Sequence, residues 1–171
     1  MEKTDITYIG ESSRELFPES QDIFNAVEAS MGYLPNAYIT MAEKPELLKA
    51  FSGLAMTIFT SIDIDLGTKQ LIALASSLAA GCKYCQAHTS HGAEMSGISE
   101  DKIADILRYS ESTKYTDSEK ALLDLAFAAG KIPNQTTKKH FEALQIYYSK
   151  SEIIDNAIKA VTQAKKYVEE V

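Results

Sequence analysis

A chain of 171 residues with 45% apolar and 24% charged residues has the length and composition of one globular domain. Its 17 lysine and arginine residues stand against 24 aspartate and glutamate residues, which gives a formal net charge of -7. No basic run could follow a phosphate backbone, so the charge argues against a nucleic-acid partner. No apolar run approaches the roughly 20 residues of a membrane span, and the amino terminus has no secretion signal. We therefore expect a cytoplasmic protein.

The first half of the chain carries the end signals of three helices. The predicted segments are residues 20–32, 45–59 and 65–81. Ser20 and Asp65 are residue types that cap helix amino termini, and Pro45 suits a first helical turn. Gly32 and Gly81 are typical helix C-caps. Residues 33–36 are predicted to form a turn between the first two helices.

The second half continues the same pattern. The predicted helices are residues 82–96, 99–107, 116–130 and 136–144, followed by an amphipathic run from 151 to 168. Thr116 and Glu119 have the spacing of a capping box, and Gly97 and Gly130 follow apolar helical runs. Because no segment calls for a sheet and no heptad pattern is sustained, we predict a compact all-α bundle forming a single domain over residues 1–171. Some apolar helix faces are left for contacts between subunits.

The most informative stretch is residues 81–91, Gly-Cys-Lys-Tyr-Cys-Gln-Ala-His-Thr-Ser-His, which holds both cysteines and two of the three histidines. Cys82 and Cys85 fall in the opening turn of a predicted helix, about 60° apart around its axis, and are close enough to bond. Free N–H groups and the macrodipole at a helix start favour an anion, which lowers the pKa of a thiol. His88, one turn after Cys85, could take the thiol proton or stabilise the thiolate.

Other interpretations of this cluster remain open at this stage. Cys82 and His91 project to roughly opposite sides of the helix, so they cannot hold one metal ion together. Carboxylates from other helices could still complete a metal site with Cys82, Cys85 and His88. A buried, inert pair of cysteines is a further reading. Tyr84 could flank the thiols as a hydrogen-bond donor or a pocket wall, although a tyrosine in a first turn is more often packing.

Several stretches resemble the carboxymuconolactone decarboxylase family, and within it the alkylhydroperoxidase D-like, peroxidase-related proteins. The matching stretches are residues 32–36, 44–48, 69–75, 81–89 and 115–129. The resemblance covers roughly residues 30 to 165, with its core motifs at about 30–130, and its most specific part is the Cys-Lys-Tyr-Cys core. Decarboxylase members of the family generally lack the cysteine pair, so its presence favours redox chemistry.

The resemblance implies an all-helical protein that assembles into homo-oligomers, often trimers or hexamers, and acts as a thiol peroxidase. Carried onto this chain, Cys85 is the peroxidatic thiolate that attacks a peroxide and becomes a sulfenic acid. Cys82 resolves it as a disulfide, and a dithiol reductant such as dihydrolipoamide or a thioredoxin-like protein restores the pair. No haem, flavin or metal cofactor is required.

The chain departs from the peroxidase pattern at two positions. Thr89 stands where peroxidase members commonly carry the motif histidine, so His88 is taken as the base and His91 as its substitute. Gln70 stands where proton-relay members carry glutamate, and an amide can orient a histidine but cannot accept its proton. We hypothesise that this change slows peroxide turnover. The alternatives are a dithiol–disulfide oxidoreductase with little peroxidase activity and a non-catalytic helical oligomer with structural cysteines.

Overall fold

The computed structural model describes residues 12–61 and 64–149, which contain α-helices, short 3-10 helices and no strand. The all-α prediction is confirmed for these residues. They fall into two compact units, which divide between Ala55 and Met56. The predicted helical run at 151–168 lies outside the described residues, and the single domain over the whole chain stays a prediction. Among the helices described, none has the length and apolar character needed to cross a membrane.

The helices follow the end signals of the sequence closely. They are α1 Gln21–Met31, α2 Asn36–Met41, α3 Pro45–Thr60, α4 Leu66–Ala79, α5 Lys83–Met95, α6 Glu100–Ala104, α7 Asp117–Gly130 and α8 Lys138–Leu144. Gly32 adopts φ 78° after α1, in the left-handed region that favours glycine. The Asp65 carboxylate accepts the Thr68 N–H at 2.9 Å and caps α4. Capping chemistry therefore sets most of the helix starts.

The structure corrects the prediction in the segment after Leu34. The turn expected at 33–36 ends early, because α2 begins at Asn36 directly after Pro35. The six residues of α2 carry no side-chain cap at their amino terminus. This short helix therefore lacks the capping side chain that marks the start of other helices in the chain.

Two further helix boundaries differ from the prediction. The helix expected over 99–107 stops at Ala104, and a 3-10 turn follows at Ile106–Arg108. The helix α8 begins two residues late, because the Thr136 N–H and hydroxyl both donate to Asn134 Oδ1, at 2.9 and 2.6 Å. This Asx turn competes with helix formation.

In the unit that carries residues 56–149, α4 packs against both α5 and α7. Its core includes Leu71, Leu74, Ala75, Ala93, Ile106 and Leu123. A Cβ at Gly130 would lie 2.6 Å from the Ser76 carbonyl oxygen, so the absence of a side chain lets α7 approach the backbone of α4. The other unit has its own core around Phe24 and Leu48, both fully buried.

Candidate redox site

The hairpin between α4 and α5 fixes where the cysteine pair lies. Gly81 adopts φ 71° and reverses the chain. The Cys82 N–H donates to the Ser77 carbonyl at 3.0 Å, and the Gln86 side-chain amide donates to the same oxygen at 3.3 Å. The first turn of α5 is thereby tied to the last turn of α4, and α4 is held in the core through Leu74 and Ala75.

Cys82 and Cys85 are joined by a disulfide across this first turn, with their Cα atoms 5.4 Å apart. Cys82 is the N-cap of α5, and its Sγ accepts the backbone N–H of Cys85 at 3.2 Å. No acidic residue lies in the first turn, and Lys83 is its first helical residue. Both cysteines are half-buried. The helix dipole and the hydrogen bond from the Cys85 N–H both favour a thiolate here over a neutral thiol.

His88 lies one turn after Cys85, and the ring of Tyr84 packs against its imidazole. The two ring centroids are 4.1 Å apart with the planes at 62°, an edge-on contact. Burial lowers the pKa of the His88 imidazole below its ordinary value of 6.5, and the neighbouring His91 lowers it further by charge repulsion. His88 is therefore predominantly neutral at pH 7 and suited to accept a proton. Tyr84 itself is 48% exposed, so it covers the imidazole while remaining at the surface.

Thr89 has a structural partner of its own. Its hydroxyl donates to the Cys85 carbonyl oxygen at 2.7 Å, one turn back along α5. A hydroxyl engaged in this way is a poor replacement for the histidine that peroxidase-type sequences commonly carry at this position. This geometry is compatible with His88 as the functional histidine, and that role stays a prediction.

Gln70 reaches the same helix from α4. Its terminal amide packs against Gly92. A Cβ added at Gly92 would lie 2.7 Å from Gln70 Cδ and 2.8 Å from both Oε1 and Nε2. Gly92 follows His88 by one helical turn, so the amide lies one turn beyond the imidazole. The sequence reasoning missed Gly92. Its signal was available, because Gln70 and Gly92 are equally distant from the Gly81 turn and so lie level in the hairpin.

The structure thus brings the predicted site residues together along one helix hairpin. Cys82 is bonded to Cys85, Tyr84 contacts His88, and His91 acts on His88 through its charge. Within residues 12–61 and 64–149, no group of three or more His, Cys, Asp or Glu side chains is placed to hold a metal ion. A disulfide at the start of α5, with a neutral imidazole one turn after Cys85, is compatible with redox chemistry.

Comparisons with known proteins give both a family and a fold. The profile of the carboxymuconolactone decarboxylase family matches residues 45–128. A search of curated proteins gave no match.

Three solved structures are similar over most of the chain. Apo debrominase Bmp8 is 33% identical, covers 94% of this chain and 87% of its own, and superposes with a TM-score of 0.81. A cysteine-to-alanine variant of Bmp8 in complex with 2,3,4-tribromopyrrole is 32% identical, with coverages of 94% and 86% and a TM-score of 0.82. The alkylhydroperoxidase AhpD core of a peroxidase-related protein from Ralstonia eutropha JMP134 is 18% identical, with coverages of 94% and 86% and a TM-score of 0.74. At that identity the last comparison shows the fold alone.

Proposed function

Because the chain belongs to the carboxymuconolactone decarboxylase family, we propose that its cysteine pair defines it as a dithiol oxidoreductase within that family. In this proposal Cys82 and Cys85 supply two electrons to an electrophilic small molecule and become a disulfide. The observation that carries the proposal is the position of the pair. The two sulfurs are bonded at the start of α5, where Cys82 Sγ accepts the Cys85 N–H and no acidic side chain is present.

The first candidate oxidant is a hydroperoxide. The Cys85 thiolate attacks the terminal peroxide oxygen and releases an alcohol, which leaves a sulfenic acid on Cys85. Cys82 then attacks that sulfur, water leaves, and the disulfide forms. His88 takes the proton of Cys85 before the attack, and its lowered pKa supports this role because a neutral imidazole can accept a proton. The sum is one hydroperoxide and one dithiol converted to alcohol, water and disulfide, with no haem, flavin or metal.

The second candidate is a brominated heteroaromatic compound, and the likeness to Bmp8 favours it. That debrominase is 32 to 33% identical over 94% of this chain, and one of its structures contains 2,3,4-tribromopyrrole. The same dithiol could replace a carbon–bromine bond by carbon–hydrogen. One brominated ring and one dithiol would give the debrominated ring, bromide, a proton and the disulfide. Gln70 in place of glutamate also suits this candidate, since it removes the proton acceptor of the peroxidase relay.

The cycle needs a dithiol reductant, for which a lipoyl group or a thioredoxin-like protein is proposed. A homo-oligomer, trimeric or hexameric, is also proposed. Its support is the apolar surface that the first turns of α3 expose in the single chain, where Leu47 and Phe51, one helical turn apart, are 52% and 43% exposed. Light scattering on the purified protein measures this state, and a monomer at micromolar concentration would contradict it.

The experiment that tests the function is a two-substrate comparison with dihydrolipoamide as the reductant. Reduced protein is given cumene hydroperoxide in one assay and 2,3,4-tribromopyrrole in the other. Loss of peroxide is followed in the first assay, and bromide release with formation of the dibrominated ring in the second. Cys82→Ser and Cys85→Ser are the controls. Turnover that exceeds both variants in either assay supports the proposal and selects its oxidant, whereas turnover equal to the variants in both assays contradicts it.

A further inference from the structure

The two thiols of the pair have different surroundings, although they lie in one helical turn. Cys82 is the N-cap, and its Sγ receives a hydrogen bond from the Cys85 backbone N–H at 3.2 Å. This donor belongs to the backbone of a helix start, so it stays in place when the side chain at position 85 changes. A sulfur anion at this position gains from the donor and from the positive end of the helix dipole.

Cys85 lies at the third helical position, and His88 follows it by three residues on the same side of α5. A neutral imidazole can take a proton from a thiol but does not hold the thiolate as an ion pair. Both thiols lie in the opening turn of α5, so the helix dipole acts on each of them. The hydrogen bond separates them, because only Cys82 Sγ is a backbone acceptor in this turn.

We propose that Cys82 is the sulfur stabilised as a thiolate by the Cys85 N–H, so that it is the leaving group when the disulfide is reduced and the reductant bonds first to Cys85. The inference rests on the proposed function, since it concerns how the same pair is regenerated. It assigns the point of attack that neither the cysteine spacing nor the comparisons decide.

The step balances with a dithiol as the reductant. A thiolate of the reductant attacks Cys85 Sγ, the bond to Cys82 Sγ breaks, and its electron pair leaves on Cys82 as a thiolate. The product is a mixed disulfide between the reductant and Cys85. The second thiol of the reductant then attacks the reductant sulfur that is bonded to Cys85. This attack releases Cys85 as a thiolate, and the reductant leaves as a cyclic disulfide. Leaving-group acidity favours expulsion of Cys82 over Cys85.

The first test is a thiol titration in variants that keep one cysteine. Cys85→Ser retains the N–H that Cys82 accepts, whereas Cys85→Pro removes it and keeps a residue that a first helical turn tolerates. We expect Cys82 in Cys85→Ser to ionise at least about one pH unit below the ordinary thiol pKa of about 8.5, and Cys85→Pro to return it towards that value. The same Cys82 pKa in both folded variants would overturn the proposal, as would a Cys82 pKa above that of Cys85 measured in Cys82→Ser.

The second test uses the wild-type disulfide and needs no variant. Oxidised protein is treated briefly with glutathione and then alkylated with N-ethylmaleimide under acidic conditions. Trypsin cleaves after Lys83, so Cys82 ends up in peptide 70–83 and Cys85 in peptide 84–102. We expect glutathione on peptide 84–102 in at least tenfold excess, with the alkyl group on peptide 70–83. Equal labelling, or an excess of glutathione on Cys82, would overturn the proposal.

Neither test uses a peroxide or a brominated substrate. If both assays of the proposed function fail while glutathione still bonds to Cys85, the oxidant is wrong and the inference stands. If turnover is found while glutathione bonds to Cys82, the function stands and the inference fails.

Discussion

Two helix starts in this protein use the same spacing with different chemistry. At α7, the Thr116 hydroxyl accepts the Glu119 N–H at 3.2 Å, and the Glu119 carboxylate accepts the Thr116 N–H at 2.9 Å. At α5, Cys82 occupies the N-cap position of Thr116, and Cys85 occupies the third helical position of Glu119. In both cases the N-cap side chain accepts the N–H three residues later.

Sulfur in place of oxygen at these two positions changes which backbone donors the side chains satisfy. The capping box of α7 satisfies two backbone donors at once, one from each side chain. At the start of α5, Cys82 Sγ satisfies the Cys85 N–H, whereas the Cys82 N–H donates to the Ser77 carbonyl oxygen of α4 and the Cys85 sulfur is bonded to Cys82. The helix start of α5 therefore keeps one capping hydrogen bond and adds a disulfide, which is the bond that the proposed function requires.

The largest effect is expected from breaking the sulfur pair itself. Cys82→Ser and Cys85→Ser each remove one electron donor, so multiple-turnover activity with the preferred oxidant should fall below detection. The helix should remain, because serine is a strong N-cap residue. Turnover assays with circular dichroism as the folding control measure both effects. Either variant retaining wild-type turnover would show that the disulfide lies outside the reaction.

The next largest effect is expected at His88, because α5 carries an imidazole one turn after its first turn and α7 does not. His88→Gln should slow oxidation of the dithiol by about 10²- to 10⁴-fold, the usual contribution of a positioned base. His91→Gln is the matched control on the same helix. A larger loss in His91→Gln than in His88→Gln would transfer the role of base to His91.

The pH profile of the wild type sharpens this prediction. The pKa of His88 is lowered below 6.5, so the neutral base is the major form at pH 6.5 and is lost as the pH falls through that lowered value. The rate of disulfide formation should therefore fall on acidification with a midpoint below 6.5, and this limb should be missing from His88→Gln. Stopped-flow measurement of single-turnover oxidation gives the profile. A midpoint above 6.5, or an unchanged limb in the variant, would contradict the assignment.

A smaller effect is expected further along α5, where the side-chain amide of Gln70 from α4 packs against Gly92. Gly92→Ala should displace the amide, because its Cβ would fall 2.7 Å from Gln70 Cδ, while alanine favours the helix by about 1 kcal/mol. We expect a change in rate of severalfold, matching that of Gln70→Ala, and no further change in the double variant.

Gln70→Glu should raise the rate of peroxide consumption by supplying a proton acceptor. An unchanged rate in Gln70→Glu would remove the relay hypothesis.

The smallest effect on activity is expected at the oxygen cap. Thr116→Ala should cost about 1 kcal/mol of the free energy of unfolding and leave turnover unchanged, because it removes a cap remote in sequence from the sulfurs. Denaturant unfolding and the turnover assay measure the two quantities on one preparation. A loss of turnover at wild-type stability would contradict the separation between the two helix starts.

Most helix boundaries of this protein could be predicted because residues within one turn of each helix end determine them. Asp65 and the Thr116 and Glu119 box cap helices as expected, and Gly32 and Gly81 adopt the left-handed conformation that ends them. Capping depends on residues within one turn, which a sequence displays directly. The cysteine pair belongs to the same class of signal, since both sulfurs occupy one helical turn.

Most of the features that were not predicted depend on contacts between segments, and one, at His140, is a local cap. Gly92 looks like a weak point in a helix until the amide of Gln70 arrives from α4. The hydrogen bond that distinguishes Cys82 from Cys85 requires the N-cap conformation of Cys82 (φ -76°, ψ 95°), which the Ser77 carbonyl helps to fix from the preceding helix. His140 carried no predicted role, yet its Nδ1 accepts the Thr137 N–H at 3.0 Å and caps α8.

The most direct test of the central claim is the intact mass of the reduced protein after one equivalent of an oxidant. Cumene hydroperoxide and 2,3,4-tribromopyrrole are applied separately, to the wild type and to Cys82→Ser. We expect at least one of them to remove two hydrogens from the wild type by joining Cys82 to Cys85. If the hydroperoxide is that oxidant, it should leave a dimedone-reactive sulfenic acid on Cys85 in the variant. A wild-type mass unchanged by both oxidants would contradict the claim that this pair is a redox centre.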